Sequence, residues 1–307
     1  MADSPLGRTL LIANPAAHSG KGAAGTDFAR HFLSSYSSAT RGYEVRLTQG
    51  PGDAVGIAAS AVGYDTVLAL GGDGVIHEVV NGLMRLPESA RPQLGVIPLG
   101  SGNDYARTLG MPKNDVERAF AKLVRGRVRE LEVGSVNGVH FMETLSFGLD
   151  AAIAIDTTAR RAADTSQEGE ALFITSGLKV ISQAHQGFPC TARFDGEDPI
   201  DLSTLIFAVQ VGPTYGGGFK VCPNADPGDG LLDVCYNVRR PSIPHFLALF
   251  GLARWGRHTL TKVVRLRRFR HATVDFAEEP PCQVDGEQLR GTHFEIEVVP
   301  GALRVIC

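Results

Sequence analysis

The stretch VLALGGDGVIHEVVNGL, residues 67–83, runs a buried apolar strand straight into a helical pattern, with three glycines and one carboxylate at the joint. In a parallel sheet such a joint lies at the carboxyl edge, where α/β folds bind ligands. Glycine lets the backbone approach a phosphate closely and adopts positive φ without strain. The helix that follows, reading from about Val75, offers unpaired N–H groups and a partial positive charge to an anion. Asp73 would repel a bare phosphate, so its presence fits a bound Mg²⁺ or a sugar hydroxyl. A tight strand–helix turn with an aspartate cap would carry the same letters, so the neighbouring joints have to decide.

Outward from this stretch, residues 1–130 alternate apolar strands with amphipathic helices. Strands read at 9–15, 43–48, 65–70 and 93–100. Helices read at 26–37, 53–62 and 114–124, the last with Asn114 as its N-cap. The alternation predicts a parallel sheet with helices on both faces. Two more strand–helix joints have the same character. NPAAHSGKG (14–22) is no Walker A loop, because Pro15 and Gly22 stand where that motif needs a glycine and a hydroxyl, yet it offers glycines and a lysine to a phosphate. PLGSGND (98–104) follows the fourth strand. The dinucleotide pattern GxGxxG is absent, which weakens a dehydrogenase reading.

The second half changes character. Residues 129–148 read as two strands around Asn137-Gly138, a strong hairpin signal. Strand-like segments follow at 191–195, 204–211, 231–238, 263–269, 272–276, 293–299 and 302–306, interrupted by helical insertions near 170–185 and 241–256. This predicts an antiparallel β domain over 131–307, joined to the first without a Pro/Ser-rich linker.

Composition excludes several classes. The net charge of −3 argues against bulk binding of nucleic acid. No apolar run reaches the roughly 18 residues that span a bilayer, and the first residues lack a secretory pattern. Five cysteines without a CxxC pair read as free thiols of a cytoplasmic protein. Nine histidines without HExxH spacing make a zinc site improbable.

NPxxxxGK, GGDG at a strand–helix turn and PLGSGNDYAR together resemble the diacylglycerol-kinase-type lipid kinases, a group that includes bacterial soluble lipid kinases and the sphingosine and ceramide kinases. The similarity continues through YGGGFKVCPNADPGDGLLDV (215–234) and VDGEQLRGTHFEIEVVPGALRV (284–305). GGDG alone is shared with NAD kinases and phosphofructokinases; GSGND with VDGE is far more specific. The resemblance implies an N-terminal nucleotide domain, a C-terminal β-sandwich and an ATP site in a cleft between them. By position, Thr48, Gly71, Gly72, Asp73, Gly74, Val75, Ile76, His77 and Ser101 match the nucleotide-contacting segments, and Asn14, Asn103 and Asp104 belong with them. Two positions depart from the family: Val75 stands where it usually has threonine or serine, and His77 where it usually has asparagine.

Asp226 and Asp229, three apart on a glycine loop with the Leu231 carbonyl nearby, suit a hard oxygen-seeking cation or simply open a turn. The resemblance implies a structural Mg²⁺ on Asp226, Asp229 and the Leu231 carbonyl. It also implies that the segment 284–287 supplies the catalytic acid/base. Asp285 is the first candidate, with Glu287 either the base itself or a link to the metal loop; two apart on an extended strand, the two would point the same way. The basic run Arg254, Arg257, Lys262, Arg265, Arg267, Arg268 and Arg270 reads either as a solvated strand face or as a seat on an anionic membrane surface.

The function so implied is an ATP- and Mg²⁺-dependent lipid kinase acting on a hydroxyl of diacylglycerol, phosphatidylglycerol or a sphingoid-like lipid, cytoplasmic and peripherally membrane-associated. The alternatives are an NAD kinase and a catalytically inactive nucleotide- or lipid-binding protein.

Overall fold

The strand that leads into the GGDG turn, Thr66–Gly71, is buried at every position. Both of its faces are therefore covered, as in the centre of a parallel sheet. The computed structural model describes residues 5–36, 40–162, 169–183 and 187–307. The chain divides into two compact units, Met1–Leu131 with Gly301–Cys307, and Glu132–Pro300.

In unit 1, β1 (Arg8–Ala13), β2 (Gly42–Leu47), β3 (Thr66–Gly71) and β4 (Gln93–Pro98) pair in parallel in the order β2-β1-β3-β4. The helices between them are α1 (Ala17–Ser35), α2 (Asp53–Ala59) and α3 (Asp73–Met84), followed by α4 (Asp104–Thr108) and α5 (Val116–Leu123). Phe32 of α1 packs on Phe120 of α5, ring centroids 4.5 Å apart, and α2 packs on α3.

Three helix starts differ from expectation, and the helix expected over 53–62 ends at Ala59. The first helix begins at Ala17, well before residue 26, but His18, Ser19 and Gly20 interrupt its first turn with left-handed backbone; residue 37, expected at its end, lies outside the described residues. The helix expected from about Val75 begins at Asp73. Asn114 is not an N-cap: Asp115 caps α5, its carboxylate accepting the Arg118 N–H at 2.9 Å.

β5 (Val128–Val136), which begins in unit 1 and continues into unit 2, turns into β6 (Val139–Phe141) through Asn137 and Gly138, both at positive φ, as the two-residue hairpin requires. Next come β7 (Thr144–Gly148), α6 (Leu149–Ala162), α7 (Gly169–Gln183), β8 (Phe188–Phe194), β9 (Ile200–Thr204), β10 (Ile206–Gln210) and β11 (Leu232–Asn237). The chain continues with α8 (Ile243–Ala253), β12 (Val264–Phe269), β13 (His271–Phe276), β14 (Cys282–Val284), β15 (Glu287–Gln288) and β16 (His293–Ile306). β16 pairs in parallel with β4 through Val305 and Leu94, both of unit 1, and its earlier part begins the antiparallel run β16-β13-β8-β9, with β5 and β6 off β16; a second sheet runs β12-β11-β10-β7-β14-β15. The facing side chains of β16-β13-β8-β9 and of the second sheet, among them Phe147, Phe194, Phe207, Phe276 and Phe294, form one core, the sandwich the family resemblance implies. A second core, with Leu149, Phe173, Ala208, Cys235, Phe246 and Leu249, packs α6, α7 and α8 on the other face of the second sheet. The helical insertion expected near 170–185 thus has a partner, α6, that the sequence pattern does not announce; residues 184 and 185 lie outside the described residues.

Candidate active site

The carboxyl ends of all four parallel strands are tied together by backbone hydrogen bonds. The Thr48 N–H donates to the Ala13 carbonyl, Asn14 to Leu70, and Leu99 to Gly71, at 2.9, 3.0 and 2.7 Å. Asn14, Thr48, the GGDG turn and the 98–104 loop therefore share one sheet edge. Asn14 closes its own turn, its side-chain oxygen accepting the Ala16 N–H at 2.9 Å.

The glycines of this edge are required by close approach rather than by positive φ; none of Gly71, Gly72, Gly74, Gly100 and Gly102 is left-handed. A Cβ on Gly100 would come within 2.6 Å of the Gly72 Cα. One on Gly102 would lie 2.7 Å from Asp73 Oδ2 and 3.5 Å from Asp104 Oδ2. The two turns thus lie against each other, with both carboxylates turned toward Gly102. Gly74 is the exception: a Cβ there would meet nothing within 4 Å, so the N-terminus of the twelve-residue α3 is open on that side. Val75 lies back against Gly71, its branched carbons starting 3.0 Å from where a Cβ on that glycine would stand. Ile76 is wholly buried. His77 is nearly so, its Nε2 3.3 Å from the Asn81 side-chain amide.

The 98–104 loop is held by a residue that sequence reasoning assigns elsewhere. Asn114, in left-handed backbone, accepts the Gly100 N–H at 3.0 Å and the Asn103 side-chain amide at 3.2 Å. Asn103 also donates to the Gly100 carbonyl at 2.6 Å, and its Oδ1 is buried with no hydrogen-bond partner. Asp104, 4% exposed, pairs with Arg107, which in turn donates to the Gly102 carbonyl. Ser101 is half-buried beside them.

In unit 2 the segment 284–287 is a turn, not an extended strand. Val284 pairs with Glu287, and Asp285 and Gly286 between them have φ of 48° and 94°, as in a type I′ hairpin. The expectation that Asp285 and Glu287 point the same way along a strand is corrected. The Asp285 carboxylate accepts the N–H groups of Met142, Glu143 and Thr144 at 2.9, 3.1 and 2.9 Å. Glu287 is exposed. Thr158 of α6 steadies the turn by donating to the Gly286 carbonyl at 3.2 Å.

The loop of Asp226 and Asp229 folds onto itself. Asp226 accepts the Gly228 N–H and Asp229 the Leu231 N–H, each at 3.1 Å, while Arg268 pairs with Asp229. Under the loop lies Glu132, 2% exposed, which accepts the Gly230 N–H at 2.9 Å and leaves Oε1 without a hydrogen-bond partner. Burial pushes the Glu132 carboxyl up to about 7 against the pull of the Gly230 N–H, and Asp229 and Asp226 raise it further. Burial likewise raises Asp233 to about 6, opposed by Arg268. Oxygen donors and an orphaned buried carboxylate oxygen suit a hard cation. No three His, Cys, Asp or Glu side chains converge on one point among the described residues, so a cation here would also need carbonyl or water oxygens.

The chain matches the diacylglycerol kinase catalytic domain over residues 8–136 and the YegS C-terminal NAD kinase beta sandwich-like domain over residues 144–307. It is 32% identical over 286 residues to a protein of Pseudomonas aeruginosa named "Probable lipid kinase YegS-like", covering 92% of this chain and 90% of the other. It is 28% identical over 250 residues to the diacylglycerol kinase of Bacillus subtilis (strain 168), covering 80% of each. Among solved structures, a diacylglycerol kinase from Bacillus anthracis str. Sterne superposes with a TM-score of 0.77 at 25% identity, over 97% of this chain and 96% of that one. An NAD kinase from Archaeoglobus fulgidus, solved with ATP, shares the fold at a TM-score of 0.54 and 14% identity, over 97% of this chain and 92% of that one. With both halves matched in order and the strand ends assembled as described, the chain belongs to the diacylglycerol kinase family of lipid kinases.

Proposed function

We propose that this protein transfers the γ-phosphoryl group of ATP to a hydroxyl of a membrane lipid, with diacylglycerol, phosphatidylglycerol and sphingoid-like lipids as the candidate acceptors. The observation that carries the reading is the open N-terminus of α3 at Gly74, set beside Asp73 on the edge where four strands end. ATP supplies the phosphoryl group, and Mg²⁺ the charge neutralisation that transfer requires.

The chain's own part divides among named groups. The Val75 and Ile76 N–H groups already donate to the Gly72 carbonyl, so it is the open end of α3 at Gly74, with its partial positive charge, that receives the phosphate oxygens. Asp73 and Asp104, both directed toward Gly102, are the carboxylates that would orient a cation accompanying the phosphates. Asn103 Oδ1 is left to accept a hydrogen bond from the nucleotide. Glu287 takes the proton of the lipid hydroxyl as its oxygen bonds to the γ-phosphorus and the bond to the β-phosphate oxygen breaks, releasing ADP. Asp285 holds the turn that presents Glu287. Asp226, Asp229 and the Leu231 carbonyl, with Glu132 beneath, are the groups that would hold a structural Mg²⁺.

The reading requires a cytoplasmic enzyme that meets its substrate at an anionic membrane surface; among the described residues no helix is long and apolar enough to cross a membrane. The test is incubation with γ-labelled ATP and Mg²⁺ against separate lipid and NAD panels. Label in a lipid is the expected result. Label in NADP would assign an NAD kinase, and nucleotide binding without transfer would leave an inactive binding protein.

A further inference from the structure

Helix α8, IPHFLALFGLA, contains no Asp, Glu, Lys or Arg. Apart from the exposed His245 it is apolar around its circumference, and such a helix belongs in an interior, yet only Phe246 and Leu249 of it are buried. Its inner face, with Phe246, Leu249, Phe250 and Ala253, lines an apolar cavity shared with Phe173 and Phe219. Its outer stripe, Pro244, Ala248 and Gly251, is exposed and leads to Trp255. Trp255 is 68% exposed, and Leu260, in the turn beyond it, is 84% exposed. The patch extends onto α7, whose Gly177 lies against the Phe250 ring and whose Ile174 and Leu178 are exposed.

The segment that carries α8 and its flanks has charge of one sign. Residues 234–274 hold nine Lys and Arg and no Asp or Glu, in a chain of net charge −3. Several of these cations serve the fold. Arg267 pairs with Glu197 and covers the Phe194 ring, Arg268 pairs with Asp229, and Arg254 donates to the Gly218 carbonyl. Arg257, Lys262 and Arg265 stay exposed, and no ion pair engages them among the described residues. An exposed apolar ridge flanked by unpaired cations is complementary to an anionic bilayer: the ridge enters the headgroup–acyl boundary while the cations meet lipid phosphates. A second copy of the chain fits worse, because a self-complementary interface would set these cations against each other.

We propose that the outer stripe of α8, with Trp255, Leu260, Arg257, Lys262 and Arg265, seats the protein on anionic lipid bilayers. The inference deepens the lipid-kinase reading and rests on it for the partner, but its test needs no phosphoryl transfer.

Trp255 is the only tryptophan in the chain, so intrinsic fluorescence of the full-length protein reports on this patch directly. The expected result is a blue shift on mixing with phosphatidylcholine vesicles doped with phosphatidylglycerol, quenching by brominated acyl chains, and reversal by salt. Arg257→Gln and Lys262→Gln should each weaken vesicle binding about fivefold, the loss of roughly one surface cation, and Leu260→Ser should reduce the quenching. No shift with anionic vesicles overturns the proposal, as does vesicle binding unchanged in these variants. A shift that appears with protein concentration in the absence of vesicles also overturns it and makes the patch an interface between copies. Vesicle binding together with no labelled product on the lipid panel supports the seat and defeats the kinase reading instead.

Discussion

Asp285 and Thr144 exchange hydrogen bonds: the Asp285 N–H donates to the Thr144 carbonyl at 2.8 Å, and the Thr144 N–H donates to the Asp285 carboxylate at 2.9 Å. With the N–H groups of Met142 and Glu143 also bound, that carboxylate is occupied as a clamp on the start of β7. The neighbouring Glu287 is exposed and carries no such duty. The two acids of the DGE segment should therefore separate on mutation. Asp285→Ala leaves buried N–H groups unbound, at a cost of about 1–3 kcal/mol, and should lower the melting temperature by several degrees along with activity. Glu287→Gln should melt like the wild type while kcat falls about 100- to 10,000-fold, the usual contribution of a positioned base. Thermal melts beside steady-state kinetics decide it; a Glu287→Gln enzyme of full turnover would remove Glu287 from the mechanism.

The glycines of the GGDG edge make a second test, because they are glycine for different reasons. Gly100→Ala forces a methyl group against the Gly72 backbone and should destabilise the protein. Gly74→Ala meets nothing in the folded chain and should stabilise α3 by roughly 0.5–1 kcal/mol. If phosphates come to that open helix end, the same methyl raises the KM for ATP. A more stable protein with poorer ATP use is the expected signature; unchanged KM would move the phosphates elsewhere. Asp73→Ala should abolish transfer and leave the melting temperature close to that of the wild type.

Asn114 illustrates where the sequence is readable and where it is not. The joints at 71–74 and 98–104 are legible because strand, glycines and helix start are adjacent in the chain, and so is the 137–138 hairpin. The same Asx-Gly signal stands at 285–286, and taking that segment as strand overlooks it. Asn114 is a good N-cap by composition, but the cap falls one residue later, because its side chain is drawn away by Gly100 and Asn103. Glu132 gives no local signal at all: its meaning comes from Gly230, 98 residues on. Asn114→Ala should therefore behave as a loop lesion, with a loss of about 1–2 kcal/mol and a raised KM for ATP. A helix-cap role would move stability alone.

A structural cation in the 226–231 loop should show in stability as well as in activity. Removing divalent ions with EDTA is expected to lower the melting temperature of the wild type, and Mg²⁺ to restore it. In Asp226→Ala the difference between the two conditions should vanish. A wild-type melt indifferent to EDTA would leave Arg268 as the partner that balances this acidic loop.

Asp150, in the first turn of α6, carries the clearest pH dependence. Its neighbours are Tyr215, whose hydroxyl donates to its carboxylate, and the apolar lining of the cavity under α8. Burial pushes its pKa up from the ordinary 3.8 to about 7, opposed by a hydrogen bond from the Ser146 side chain. The folded state then holds a proton that the unfolded chain releases near pH 4, so the native state is penalised as pH rises from 4 to 7, and fully so above 7. Three units correspond to at most about 4 kcal/mol. Asp150→Asn keeps an acceptor for Tyr215 and cannot ionise. Urea unfolding should find the two proteins alike at pH 4 and the variant more stable by up to a few kcal/mol at pH 8. A difference that stays constant across that range would mean the carboxylate is ionised in the fold throughout, and that Tyr215 answers to a charge rather than to an acid.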